Sequence, residues 1–207
     1  MENKLFWGML LATVAGEFLL PALLQRHVPD YDSRRMVMSV LGNPNSPVRK
    51  IYNLWLLWLG GFLSLTAVRF FLSARSVSLP LAVLTFVSIL IFAVGAGLLS
   101  GIFSVNEEKE LSTAASQIHG IGAAIGFMAL LFFPLLDAIA AFRQGKPIAG
   151  GLDAAAFVLA LGFFSLFVLA DKEPFRGTAI ACEGLWQRLS LAAMYAPFLI
   201  RAAESLF

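Results

Sequence analysis

Apolar residues fill six long stretches of this chain, and short polar segments separate most of them. A helix that crosses a bilayer needs about 20 predominantly apolar residues, because the hydrocarbon core is about 30 Å thick and a helix rises about 1.5 Å per residue. The pattern predicts helices over residues 5–24, 54–72, 79–100, 113–142, 152–170 and 179–201. We therefore expect an all-α polytopic membrane protein, built as a single bundle of six transmembrane helices.

The longest connection joins the first two predicted helices. It covers residues 25–53 and is rich in turn-forming residues such as Pro29 and Gly42. The remaining links are short, so we expect one domain over residues 1–207, with the acidic segment 106–110 solvated before the fourth helix. An even number of crossings places both termini on one side of the membrane.

Composition agrees with a membrane protein. Of the 207 residues, 59% are hydrophobic and only 14% are charged, which is too little charge to cover a soluble domain of this size. The net charge of +2, with no basic stripe, gives no sign of nucleic-acid binding. A single cysteine, Cys182, excludes an internal disulfide. We expect a protein integral to the plasma (inner) membrane, with membrane lipids as partners; the Lys and Arg counts of the two sides do not decide its orientation.

Small residues recur at a spacing of four along the predicted helices. Such pairs let two helix backbones approach in lipid, where van der Waals contact replaces the hydrophobic effect. The pairs are Gly97 with Gly101, Gly122 with Gly126, and Gly60 with Ser64. We interpret them as helix-packing seams.

Polar residues gather on the side of the membrane that holds the long connection. Six crossings place that connection and the beginnings of the fourth and sixth helices on this side. Candidate ligand-binding residues there are Asn53, His119 and Arg188. The opposite side has short links, and Asp137 and Asp153 are expected to lie at its membrane interface. The asymmetry indicates that the functional site lies on the side of the connection.

Glu17 is the fourth candidate ligand-binding residue. It lies near the middle of the first helix, where a carboxylate costs about 2.5–3.5 kcal/mol on insertion scales. Pro21 removes the hydrogen bond that the Glu17 carbonyl would accept, which favours a local opening. Either Glu17 belongs to a ligand or proton site, or it forms a structural pair, most simply with Arg188. Arg188 has no acid three or four positions away, so it must reach another helix, a loop or a lipid headgroup.

Ser39 and His119 form the one Ser–His couple that can be drawn on this side. Ser39 would be the catalytic nucleophile and His119 its base, although no third member of a triad is evident. No metal-ligand spacing such as His-Glu-x-x-His occurs, and the sequence indicates no particular cofactor.

Several short motifs resemble those of a six-span bacterial and archaeal membrane family, the domain of unknown function 998. Residues 29–31 and 38–42 resemble its Pro-x-Tyr … Ser-x-Leu-Gly signature, with Val40 where the family usually has an acid. The likeness continues through Asn53 and His119 to residues 184–188, which resemble Gly-Leu-x-x-Arg. The resemblance implies six helices and a shared polar face, and it brings no established activity.

Three hypotheses follow. The leading one is a protein that binds a lipid or small amphiphile under the long connection, with Arg188 on phosphate, Glu17 and His119 lining the pocket, and Ser39 and Asn53 positioning the loop. The second is an accessory subunit of a membrane complex, or a homo-oligomer. The third is an intramembrane hydrolase or acyl transferase that uses Ser39 and His119.

Overall fold

The structure, a computed structural model, describes residues 4–104 and 113–207; the acidic segment 106–110 lies outside them. The described residues form helices and contain no strand. The long helices are α1 (Lys4–Leu24), α2 (Arg49–Ala74), α3 (Leu79–Phe92), α4 (Ala114–Leu131), α5 (Phe133–Arg143), α6 (Pro147–Ala170), α7 (Glu183–Met194) and α8 (Ala196–Leu206). Helix α3 continues as a π-helical segment, Ala93–Leu99, and a last turn, Ser100–Ile102.

Among the described residues, five helical segments are long and apolar enough to cross a membrane. They are Lys4–His27, Arg49–Ala74, Leu79–Ile102, Ala114–Arg143 and Pro147–Ala170. The sixth predicted helix is not continuous. It divides at Tyr195 into α7 and α8, because Pro197 has no N–H to donate in the next turn. The structure therefore confirms a helical membrane protein but not six continuous spans.

The first connection is shorter than the sequence predicted. Helix α2 begins at Arg49, so Asn53 lies in the second turn of a helix rather than in the loop. The connection itself contains 3₁₀ turns over Gln25–His27 and Met38–Gly42. The fourth predicted helix is also kinked, at Phe132, two residues before Pro134.

Glycines hold α2, α3 and α4 in close contact, as their spacing predicted. A Cβ atom on Gly97 would collide with the backbone of Gly60, and one on Gly95 would collide with the carbonyl of Gly122. Gly95 and Gly97 both lie in the π-helical segment, which brings that segment against both neighbouring helices. The backbones touch without intervening side chains, so any side chain larger than hydrogen at these positions would push the helices apart.

Both described ends of the chain lie at one end of the bundle. Trp7, near the start of α1, and Ser205, near the end of α8, line one cavity there, which we call the termini cavity. The first connection lies at the other end, where it contacts the start of α7. Helices α7 and α8 together therefore run from the connection to the termini cavity.

Candidate functional site

The first connection is fastened to the start of α7 by backbone contacts and by one guanidinium. Arg188 Nη1 donates hydrogen bonds to the carbonyls of Ser33 (2.8 Å) and Met36 (3.2 Å), besides that of Gly184 in its own helix (2.8 Å). Gly184 faces the same loop carbonyls so closely that a Cβ atom would overlap them. The Leu185 N–H donates to the Arg34 carbonyl at 2.9 Å. Arg188 therefore fixes a loop, one of the three roles that the sequence left open.

Tyr31 completes this attachment. Its hydroxyl accepts from Arg188 Nη2 at 2.8 Å and donates towards the Val37 carbonyl at 3.1 Å. Burial raises the pKa of Tyr31, and the Arg188 guanidinium opposes that rise. The Tyr31 hydroxyl therefore stays protonated and bridges the loop to α7. The turn before it places Asp30 at φ 57°, a left-handed conformation that Asp tolerates better than most residues.

Beneath the connection is a cavity of about 50 Å³, which we call the connection hollow. Its polar lining consists of Glu17, Ser39, Tyr52, Ser100, His119 and Gln187. Apolar side chains form the rest of the wall, among them Leu56, Phe92 and Phe127. The first connection forms the roof of the hollow. Gln187 also holds this roof, since its Oε1 accepts a hydrogen bond from the Met38 N–H at 2.8 Å. A few converging polar groups on an apolar wall are typical of sites for small ligands.

Glu17 is buried at the edge of this hollow, with only 3% of its surface exposed. Its Oε2 accepts a hydrogen bond from Trp55 Nε1 at 2.7 Å. Within residues 4–104 and 113–207, no cation lies within ion-pair distance of Glu17, so the expected pair with Arg188 does not form. The reason is that the Arg188 hydrogen bonds go to the connection instead.

His119 is held in one orientation. Its Nδ1 lies 2.9 Å from the Phe103 carbonyl at the end of α3. A carbonyl oxygen only accepts, so Nδ1 carries the hydrogen in this contact, and Nε2 is an acceptor when the ring is neutral. Ser39 lines the same hollow, but no hydrogen bond joins it to His119 in the described part of the chain.

The structure therefore brings Glu17, Ser39 and His119 to one cavity, and places the other two candidates outside its lining. Arg188 is used by the connection. Asn53 donates from Nδ2 to Ser104 Oγ at 3.4 Å, while its Oδ1 is buried against Gly42 and has no hydrogen-bond partner among the described residues. Tyr52 and Gln187 line the hollow and were not among the predicted site residues. Tyr52 lies one helical turn before Leu56, which also lines the hollow, but nothing in the sequence marked that face of α2 as a cavity wall.

A family model described as "Protein of unknown function (DUF998)" matches residues 8–204. The chain belongs to this family. No curated protein and no solved structure matches it.

The DUF998 resemblance of the sequence falls on residues that build the connection. Tyr31 and Arg188 hydrogen-bond to each other, Gly184 admits the loop backbone, and Gly42 lies against Asn53. Ser39 and His119 line the connection hollow. In this DUF998 protein, the motif residues of the loop and of α7 thus form the roof of a cavity.

A second group of polar residues, at the termini cavity, was missed as a site. Asp137 and Asp153, which the sequence placed at the membrane interface of the terminal side, are buried within the protein. Arg201 Nη2 lies 2.7 Å from Asp137 Oδ2 and 3.1 Å from Asp153 Oδ2. Ionisable residues in membrane helices pair with one another. Two acids in apolar helices and one basic residue in the last helix could therefore have predicted this charge cluster.

Proposed function

We propose that this protein binds a small amphiphile at the connection hollow, with the polar end of the ligand beneath the first connection. The observation that carries the proposal is the meeting of Glu17, Ser39, Tyr52, His119 and Gln187 on an otherwise apolar wall. The polar groups would hold the head of the ligand, and its chain would leave the hollow through the opening, because the hollow has room for the head alone.

The lining favours a head group that donates hydrogen bonds. The carboxylate of Glu17 receives one hydrogen bond from the described residues, through Oε2, and Nε2 of His119 is an acceptor. No Lys or Arg among the described residues lines the hollow. An ammonium or a hydroxyl therefore complements the hollow better than a phosphate does.

The volume agrees with such a head group. A cavity of about 50 Å³ has room for a few water molecules or one ammonium-sized group. The phosphate contact expected of Arg188 has no counterpart in the lining, and Arg188 would act by holding the roof in place.

The proposal includes a placement in the membrane. Helices α7 and α8 would cross together as a broken sixth span, so that the hollow opens near one leaflet of the plasma membrane.

The test compares three amphiphiles with the same chain: dodecylammonium, dodecanol and dodecyl phosphate. Binding to the purified protein would be measured by competition with a fluorescent long-chain amine. We expect dodecylammonium to bind most tightly, and Glu17→Gln to weaken it about 10–100-fold, the range of a charge-assisted hydrogen bond. Glu204→Gln, at the other end of the bundle, is the matched control and should leave binding unchanged.

Two results would contradict the proposal. One is equal affinity for the three head groups, or no effect of Glu17→Gln. The other is a preference for dodecyl phosphate that Arg188→Ala abolishes, which would instead support recognition of a phosphate headgroup.

A second candidate function is hydrolysis or acyl transfer, because Ser39 and His119 line the same hollow and His119 keeps an acceptor nitrogen. A serine-reactive fluorophosphonate should then label the wild type and not Ser39→Ala. Equal labelling of both proteins, or labelling of neither, would count against an enzyme.

A further inference from the structure

The termini cavity adjoins a buried cluster of charges that the amphiphile proposal does not use. The cavity has a volume of about 230 Å³ and is lined by Asp137, Arg201, Lys146 and Glu204, together with Arg69 and Trp7. Asp153 lies next to Arg201 but is not part of the lining. The cluster joins α5, α6 and α8 at the end of the bundle opposite to the connection hollow.

The innermost part of this cluster has more negative than positive charge. Asp137 and Asp153 share one guanidinium, that of Arg201, and the side chains of the three are 8%, 0% and 13% exposed. Asp137 Oδ2 accepts from both Nε (2.9 Å) and Nη2 (2.7 Å) of Arg201. Asp153 receives one contact through Oδ2, and its Oδ1 is buried without a hydrogen-bond partner in the described structure. A carboxylate oxygen in that position is not neutralised by the protein.

The surrounding charges do not supply the missing positive charge. On α8, Glu204 contacts Arg201 (3.0 Å) and Lys146 (2.9 Å). The negative charge of Glu204 and the positive charge of Lys146 therefore balance each other at the outer part of the cluster. On α2, Arg69 is exposed and lies over the ring of Trp7, 5.8 Å from its centroid. Among the described residues, Arg69 has no carboxylate within ion-pair distance. Helix α1 contributes Trp7, which carries no charge.

We propose that Asp137 and Asp153 bind one exchangeable proton, which enters from the termini cavity through Asp137 and resides on Asp153. Hydronium in the cavity releases a proton to Asp137 and becomes water. The proton then passes to a carboxylate oxygen of Asp153, where a new O–H bond forms as the one on Asp137 breaks. Asp137 is then ionised again, and two hydrogen bonds from Arg201 stabilise its charge. Two buried carboxylates beside one guanidinium then become one carboxylic acid and one ion pair, and the cluster is neutral.

Infrared spectroscopy tests this directly, because a protonated carboxyl has a C=O stretching band that a carboxylate lacks. The Glu17→Gln protein serves as background, so that Glu17 contributes no such band. At neutral pH we expect the band in this background, and its loss in Glu17→Gln/Asp153→Asn. Asp171→Asn, which changes an exposed aspartate in the turn after α6, is the matched control and should keep the band.

Thermal unfolding gives a second readout. Raising the pH removes the shared proton and leaves two carboxylates beside one guanidinium, so the unfolding midpoint of the background protein should fall. The Asp153→Asn variant should show a smaller fall, since its amide is neutral at every pH. Absence of the protonated-carboxyl band at neutral pH would overturn the proposal. So would an unfolding midpoint that rises with sodium concentration in a protein without the band, because a bound cation would then supply the missing charge.

Discussion

Arg188 shows how one residue can look like a ligand-binding group in a sequence and have another task in the fold. The absence of an acid nearby in its helix predicted that it reaches out to another helix, a loop or a headgroup. The structure shows that it reaches the first connection, at the carbonyls of Ser33 and Met36 and at the hydroxyl of Tyr31. A sequence pattern cannot show which backbone carbonyl accepts a hydrogen bond, because every residue has one. A contact with a loop could therefore be predicted for Arg188, but the residues that it contacts could not.

We therefore predict that Arg188→Ala destabilises the protein. The substitution leaves the loop carbonyls and the Tyr31 hydroxyl without their donor, at a cost of about 2–3 kcal/mol in the free energy of unfolding. Thermal unfolding in detergent would measure the loss, and limited proteolysis should cut the connection faster. Arg26→Ala, an exposed arginine in the same connection, is the control and should change neither. An unaltered unfolding midpoint in Arg188→Ala would show that the guanidinium is dispensable for the roof.

Asp137 and Asp153 are a second example. The sequence placed them at the membrane interface of the terminal side, and the structure adds that both are buried within the protein beside Arg201. The sequence could show that two acids and a base lie near one end of their helices. It could not show that α5, α6 and α8 turn these side chains towards one another, since that depends on the rotation of each helix about its axis.

At the scale of elements, the glycine seams were the most predictable feature of the bundle. The spacing of Gly97 with Gly101 and of Gly122 with Gly126 predicted close helix packing, and these residues do lie against neighbouring helices. What the spacing did not predict is the π-helical course of Ala93–Leu99. One extra residue in a helical turn re-aims the side chains that follow it, and this depends on the neighbours on both sides.

We predict that Gly60→Ala is destabilising and Gly61→Ala is not. A Cβ atom on Gly60 would meet the carbonyl of Ala93 at 2.5 Å, whereas nothing lies within 4 Å of one on Gly61. Overpacking of a close backbone contact costs about 1–3 kcal/mol. The control should be neutral or gain up to about 1 kcal/mol, because alanine favours a helix more than glycine does. Equal unfolding midpoints for the two variants would contradict the proposed seam.

The last helical segment was the least predictable element. Its apolar pattern predicted one helix over 179–201, whereas the structure has α7, a break at Tyr195, and α8. Pro197 gave a signal for the break, but proline is also tolerated inside membrane helices when neighbours satisfy the freed groups. Packing favours the break here: the ring of Phe198, just after the break, contacts that of Phe133 beside the α4–α5 kink, with ring centroids 4.7 Å apart.

At the scale of the whole molecule, aromatic rings separate the connection hollow from the termini cavity. Phe92 lines the hollow and Phe70 lines the cavity. Between them, the ring centroids of Phe92 and Tyr195 are 5.9 Å apart, those of Tyr195 and Phe198 5.7 Å, and those of Phe198 and Phe70 5.5 Å. These edge-to-face and tilted ring contacts place a packed aromatic layer between the two polar sites, so each should bind its ligand without the other.

Independence of the two sites can be measured with a double-mutant cycle. Glu17→Gln changes the hollow and Asp153→Asn changes the cluster beside the termini cavity, and both substitutions keep the shape of the side chain. Because no described residue lines both cavities, we expect the changes in unfolding free energy to add within about 0.5 kcal/mol. The pair Asp137→Asn with Asp153→Asn is the positive control and should deviate clearly from additivity, since the two acids share Arg201. A comparable deviation for Glu17 with Asp153 would mean that the aromatic layer transmits a change of charge from one end of the bundle to the other, and the two sites would then have to be treated as parts of one mechanism.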